Sequence, residues 1–185
     1  MLEFGLTNKI MDKMHIKKLS SLDEADIRFC WEINLTKMNN KNTLVIVHPS
    51  SRYCMIYSNL PRNIWKTLDE FVRNAIAEAF HRECFSNEDI DSYFELAGAS
   101  RYTKTHGRKA TGGMNRLMTE LYFMEDIMDS DESFQADVTN VFNHGVATTA
   151  YYKEFNYITP KSLFVCEMRN LLYGEEITKE KAQRG

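Results

Sequence analysis

Over residues 28–36 apolar and polar side chains alternate without a break: Phe29, Trp31, Ile33 and Leu35 fall on one side, Arg28, Cys30, Glu32, Asn34 and Thr36 on the other. A period of two held for that long does not fit a helical stripe and demands a strand with one buried face. The next residues tighten the constraint. Asn39-Asn40-Lys41-Asn42 has turn chemistry, residues 43–47 are rich in β-branched and apolar side chains as a strand covered on both faces requires, and Pro49-Ser50-Ser51-Arg52 turns the chain again into a third strand at residues 53–57. The expected nucleus is a three-stranded antiparallel meander.

Helical spacing takes over after it. Ile64, Trp65, Leu68, Phe71, Val72, Ala75, Ile76, Ala79 and Phe80 draw one wide stripe, and Glu78 and Arg82 can pair on its wet side. Ser86 with Asp89 makes a capping box for a stripe of Ile90, Tyr93, Phe94 and Ala97 that stops at Gly98. Residues 101–105 suit a fourth strand. A third helix carries Met114, Leu117, Met118, Leu121 and Tyr122; a fourth carries Phe134, Val138, Val141 and Phe142 and ends at Gly145. The last has Thr159 as its cap, Pro160 in its first turn and Gly174 at its end. Ahead of everything, an apolar segment at residues 2–6 leads into a helix capped by Thr7. The chain of 185 residues suits one domain. The expected class is α+β, a small antiparallel sheet of the meander plus one or two short strands under about five or six helices. Residues 1–174 form the domain, and 175–185 form a charged, frayed tail.

With 23 Lys and Arg against 26 Asp and Glu, the net charge is -3, which excludes a simple polycationic nucleic-acid binder. Low Gly and Pro with 12% aromatics excludes collagen-like and low-complexity chains. No apolar run approaches the roughly 20 residues of a membrane span, and residues 1–18 have no signal-peptide pattern, so a soluble cytoplasmic protein is expected. Cys30, Cys54, Cys84 and Cys166 are far apart with no CxxC spacing, which suits buried free thiols in a reducing compartment.

Charge is segregated along the chain. Arg101, Lys104, His106, Arg108, Lys109 and Arg116 fall within sixteen positions that hold no acid; Glu120, Glu125, Asp126, Asp129, Asp131, Glu132 and Asp137 then follow with no Lys or Arg up to residue 152. The basic strip, with Gly107, Gly112 and Gly113, is a candidate for anion or nucleic-acid contact at a strand-to-helix junction, although it is no P-loop. The competing reading has the glycines turning the chain and the cations solvating an edge strand. Glu125, Asp126, Asp129 and Asp131 are candidates for a partner surface that mimics phosphate spacing, against the plainer role of a solvated face with Asp131 and Glu132 at a helix N-terminus. Tyr151, Tyr152, Phe155 and Tyr157 crowd beside Lys153; Tyr151 and Tyr152 are candidates for base stacking or a protein interface, or they plug the side of the core. His81 and Cys84 sit at the edge of an apolar stripe, and His15, His48, His106 and His144 stand alone. A Cys30–His48 pair across the hairpin is the one nucleophile arrangement left open. No catalytic residue, metal site or cofactor is expected.

The order of segments resembles an uncharacterised domain of unknown function of bacteria, archaea and their phages and mobile elements. The resemblance is carried by Leu6-Thr7-Asn8-Lys9, Trp31-Glu32-Ile33-Asn34-Leu35, Asn42-Thr43-Leu44-Val45-Ile46-Val47, Ser51-Arg52-Tyr53, Tyr102-Thr103-Lys104-Thr105, Arg108 and Gly113-Met114-Asn115. It spans residues 2–172 and departs at Gly107, where the pattern has Asn. It implies the order of the fold and a phage or mobile-element setting, and brings no agreed activity.

Three functions stay open. The first is a non-enzymatic macromolecule-binding protein, such as an anti-CRISPR-like inhibitor of a host nucleoprotein complex, with a protein or ribonucleoprotein partner. The second is a direct DNA- or RNA-binding protein using residues 101–116 and the aromatic cluster. The third is an unrecognised hydrolase or nuclease. No membrane partner is expected, and the oligomeric state is left open.

Overall fold

The alternation at residues 28–36 belongs to one strand of a sheet larger than the meander. In the computed structural model, which describes residues 1–20, 25–147, 149, 151–153, 155 and 158–184, the elements in chain order are β1 (Leu2–Leu6), α1 (Asn8–Met14), β2 (Cys30–Met38), β3 (Lys41–Val47), β4 (Cys54–Tyr57), α2 (Leu68–Arg82), α3 (Asn87–Ala97), β5 (Ser100–Lys104), α4 (Gly107–Leu121), α5 (Ala136–His144), α6 (Pro160–Tyr173) and α7 (Lys179–Arg184). The class is α+β.

The five strands lie in the order β4-β3-β2-β1-β5. The meander β2-β3-β4 is antiparallel, Ile33 facing Ile46 and Ile46 facing Met55. β1 runs parallel to both of its neighbours, with Phe4 beside Trp31 of β2 and Tyr102 of β5. The sheet is therefore mixed, not antiparallel as the sequence reading had it. Residues 2–6 look like a short apolar segment, and the pattern carries no mark of the direction in which such a segment pairs. Both edges are covered by irregular chain: Ser20 bridges to Thr103 on β5, and Phe134 bridges to Tyr57 on β4. That protects unpaired backbone groups from other chains.

Register assigns the side chains to two faces. On the first, Leu2, Phe4 and Leu6 join Trp31, Ile33, Leu35, Leu44, Ile46, Met55 and Tyr57 beneath α1, α2, α3 and α6. Its centre is aromatic: Phe164 stacks on Tyr53, with ring centroids 4.5 Å apart, and meets Phe80 edge-on at 5.5 Å. The indole of Trp31 donates to the Tyr93 hydroxyl at 3.1 Å, which in turn donates to the Arg28 carbonyl at 3.1 Å, so neither polar tip is buried unpaired. On the second face, Val45, Val47, Cys54 and Ile56 meet Met114, Leu117, Met118 and Leu121 of α4 and Val138 of α5.

Several helix boundaries follow the chemistry of their caps. Ser86 and Asp89 form the reciprocal capping box of α3, Gly98 closes it at φ 68°, and Thr159 caps α6 ahead of Pro160. Other boundaries differ from the expectation. Thr7 makes no cap bond and hydrogen-bonds Asn34 instead. α4 starts at Gly107, so Gly112, Gly113 and the Gly113-Met114-Asn115 motif lie inside the helix and do not turn the chain. Asp131 and Glu132 precede α5 by several residues, and their backbone N–H groups donate to the Asp129 carboxylate in a turn. The tail is not frayed throughout: α7 packs on α6 and buries Ala182. Among the described residues no helix is long and apolar enough to cross a membrane.

Candidate functional site

The second face of the sheet changes character toward β5. Glu3 and Gly5 of β1 stand beside Cys30 and Glu32 of β2 and beside Arg101 and Thr103 of β5. Glu3 and Glu32 are wholly buried, a cost that only close pairing with opposite charge offsets. His106, at the N-terminal end of α4, supplies that pairing. Its backbone N–H and its Nδ1 each lie 2.7 Å from Glu32 Oε1, and its Nε2 lies 2.9 Å from Glu3 Oε2. Arg101 donates through Nε to Glu3 Oε1 at 3.0 Å and closes on the same oxygen through Nη2. Desolvation opposes an imidazolium here, yet hydrogen bonds to Cys30 and Glu32 outweigh it and hold His106 up to about 10. Burial pushes the Cys30 thiol up as well. Ligand atoms of Glu3, Cys30 and His106 lie within 4.8 Å of one another, so these are the residues that could hold a metal ion.

Two members of the basic strip are thus turned inward, Arg101 onto Glu3 and His106 onto both carboxylates. They do not share a surface with the others. Lys104, Arg108, Lys109 and Arg116 are exposed, and Arg116 pairs along the helix with Glu120 at 2.8 Å. What the sequence reading missed is Arg52. Its backbone is held at φ 70°, and its guanidinium donates to the carbonyls of Ala110 at 3.1 Å and Lys109 at 3.0 Å on α4. A Cβ on Gly113 would fall 1.4 Å from Arg52 Nη1, which explains a glycine in mid-helix. Helix propensity alone disfavours it by about 1 kcal/mol.

The aromatic cluster lands against this same stretch of α4. Arg52, Gly112, Gly113, Arg116, Thr149, Tyr152, Lys153 and Phe155 line a groove of about 380 Å³. Tyr152 and Phe155 stack with centroids 5.4 Å apart, and Lys109 Nζ sits 5.5 Å over the Tyr151 ring. Burial, with Glu167 nearby, pushes the Tyr152 hydroxyl far above its ordinary value, so it stays neutral. A smaller hollow of about 100 Å³ adjoins it, sharing Arg52, Gly113 and Arg116 and lined by Val47, Leu117, Phe142 and Pro160. Tyr157 lies outside the described residues. A wider hollow of about 710 Å³, between α1 and the hairpin, has exposed Lys9, Lys13 and Lys37 sharing its rim with Asp12.

The acidic strip lies beyond α4, on the 3₁₀ turn Tyr122–Ile127 and the loop after it. Glu125 accepts from the Asn39 backbone N–H at 2.7 Å, and Asp129 accepts from the backbone N–H groups of Asp131 at 2.7 Å and Glu132 at 3.3 Å. Those two carboxylates hold loop backbone in place, whereas Asp126 and Asp131 are exposed, as is Phe123 at 85%.

Among the described residues, no hydrolytic arrangement assembles around His48. Ser51 Oγ at 2.9 Å and Glu167 Oε2 at 3.3 Å both face Nδ1, while Nε2 faces the Arg28 carbonyl at 3.3 Å. A proton relay needs the hydroxyl and the carboxylate on opposite ring nitrogens. Cys30 groups with His106 and not with His48, and its thiol donates to the Asp26 carbonyl at 3.5 Å.

A family model described as "Domain of unknown function (DUF6933)" matches residues 3–180, nearly the whole chain. A search of curated proteins found no match.

Proposed function

Since the chain belongs to the DUF6933 family, whose description carries no activity, we propose a function from the geometry: a non-enzymatic binding protein that takes a single-stranded nucleic-acid segment in the groove between α4 and Thr149, Tyr152, Lys153 and Phe155. One observation carries the reading. The basic helix and the aromatic cluster, forty residues apart in sequence, line one concavity with Arg52, Arg116, Lys153 and the Tyr152–Phe155 stack, and no carboxylate lines it among the described residues. Cations that track a backbone beside rings that stack bases are what strand binding without sequence preference requires. Arg52 is fixed in advance by its two bonds to α4, which lowers the ordering cost of binding.

The test is a titration of the full chain with a labelled mixed-sequence single strand and with the matching duplex. The single strand is expected to bind more tightly, and Tyr152→Ala is expected to weaken it by about 1–3 kcal/mol, the usual worth of one stacked base. Equal binding of strand and duplex, unchanged by Tyr152→Ala, overturns the reading.

A second reading, a protein partner on the acidic side, is favoured by the exposure of Phe123, Tyr122 and Ile127 beside Asp126. A chain carrying both surfaces suits an inhibitor of a nucleoprotein complex, the setting the sequence suggested. Phe123→Asp abolishes capture of such a complex on this reading and leaves strand binding untouched; capture unaffected by Phe123→Asp rejects it.

A further inference from the structure

The charged half of the sheet carries an assignment independent of the groove. We infer that Glu3, Cys30 and His106 form a binding site for one divalent transition-metal ion of zinc type, with Glu32 and Arg101 holding the ligands in place. The donor set is right for such an ion: thiolate, imidazole and carboxylate on one centre select zinc and its neighbours over magnesium or calcium. Ligand atoms of the three residues already stand within 4.8 Å of one another, and Glu3 and Cys30 are wholly buried.

The surroundings orient each ligand. Glu32 Oε1 takes the hydrogen of His106 Nδ1 at 2.7 Å, which turns Nε2 toward Glu3 Oε2, 2.9 Å away. A carboxylate behind a ligating histidine is the usual support for a metal-bound imidazole. Arg101 engages the other oxygen of Glu3, Oε1, and leaves Oε2 to face the histidine. With bonds of 2.0–2.2 Å to nitrogen and oxygen in a tetrahedron, two ligand atoms stand about 3.3 Å apart. The Nε2–Oε2 separation therefore has to open by only a few tenths of an ångström.

Charge balance favours the exchange. Before binding, two carboxylates face an imidazolium and a guanidinium, a neutral set in a buried place. Binding expels one proton from His106 and one from the Cys30 thiol to solvent and brings in two positive charges, so the set remains neutral. Polar atoms are also left over for it. Among the described residues, Glu32 Oε2 and Thr103 Oγ1 are buried without a hydrogen-bond partner. They flank Gly5 in register, where a Cβ would lie 2.5 Å from Glu32 Oε2. A solvent oxygen in the fourth coordination position would give that notch the hydrogen bonds it lacks.

The experiment titrates the full chain, stripped with a chelator, with Co2+ alone and then Zn2+ alone. The expected result is saturation at one Co2+ per chain with a thiolate-to-cobalt charge-transfer band, displacement by Zn2+, and release of about two protons per ion in weak buffer. Cys30→Ser is expected to remove the band and to lower affinity by at least about 100-fold, the upper end of the loss from an outer partner. Cys84→Ser changes an exposed thiol elsewhere and is expected to keep both. Should Cys30→Ser fail to fold, persistence of the band in Cys54→Ser, Cys84→Ser and Cys166→Ser assigns it to Cys30 by the remaining route. Absence of a charge-transfer band, a band that survives in folded Cys30→Ser, or one lost in Cys84→Ser overturns the assignment.

Discussion

The two sides of β1 are built from consecutive residues and obey opposite rules. Leu2, Phe4 and Leu6 enter an apolar layer under four helices, while Glu3 and Gly5 enter a layer where charge is matched to charge beside Arg101, His106 and Glu32. Burial on the first side stabilises through area and close packing, and many volume-conserving swaps would serve. The second side is stable only as a set, because each charge stripped of its partner is left in low dielectric. A sheet face that could have been completed with apolar side chains, as the β3–β4 half of the same face is, holds a polar constellation instead.

The sharpest way to break this contrast is a pair of truncations read by chemical denaturation. Phe4→Ala and Glu3→Ala each cost about 3–5 kcal/mol, the first through a cavity, the second through unpaired cations. They differ in rescue. Arg101→Leu added to Glu3→Leu recovers part of the loss, with a coupling of about 0.5–3 kcal/mol, whereas Arg101→Leu added to Phe4→Ala recovers none of it. Additive losses at Glu3 and Arg101 would show that the charged side is not a set.

Next in size is Gly5→Ala, expected to cost about 1–3 kcal/mol because its methyl meets Glu32 Oε2 at 2.5 Å. The same addition at exposed Gly112, where nothing lies within 4 Å, is expected to stabilise α4 slightly. Equal effects at the two glycines would remove the close contact from the account.

A difference in pH response follows. His106 sits at about 10 in the fold against about 6.5 in an unfolded chain. Its folded value is raised, so its contribution is complete below about pH 6.5 and is lost as pH rises through about 10. Thermal unfolding of the metal-free protein should show that decline, and His106→Asn should flatten it, while Phe4→Ala lowers stability by the same amount across the range. A decline unchanged in His106→Asn contradicts the pairing. The smallest effect is at the surface. Arg116→Ala, which breaks only an exposed pair with Glu120, costs no more than about 0.5 kcal/mol of stability, yet lowers the salt slope of strand binding by about 0.7 for one lost phosphate contact.

How far the sequence could be read follows from the same contrast. Alternation at 28–36, the capping box at Ser86 and the Thr159-Pro160 start were legible because each is a local pattern with a local cause. The parallel pairing of β1 was not, since a five-residue segment with three apolar side chains carries no record of direction. His106 looked solitary because its partners are 74 and 103 residues away. A signal was present nonetheless: Glu3 and Gly5 interrupt an apolar strand, and Glu32 falls opposite the buried side of its own. Arg52 and Gly113 were missed for a related reason, a mid-helix glycine being read as a turn when it marks the close approach of a distant side chain.

The most direct test of the binding account is photo-cross-linking of a single strand carrying a photoreactive pyrimidine, followed by mass mapping of the modified peptide. The account predicts adducts on Tyr152 or Phe155, lost in the Lys109→Glu, Arg116→Glu, Lys153→Glu triple variant while its thermal unfolding stays near that of the parent. Adducts mapping to the Lys9, Lys13 and Lys37 hollow, or persisting in the triple variant, would contradict it.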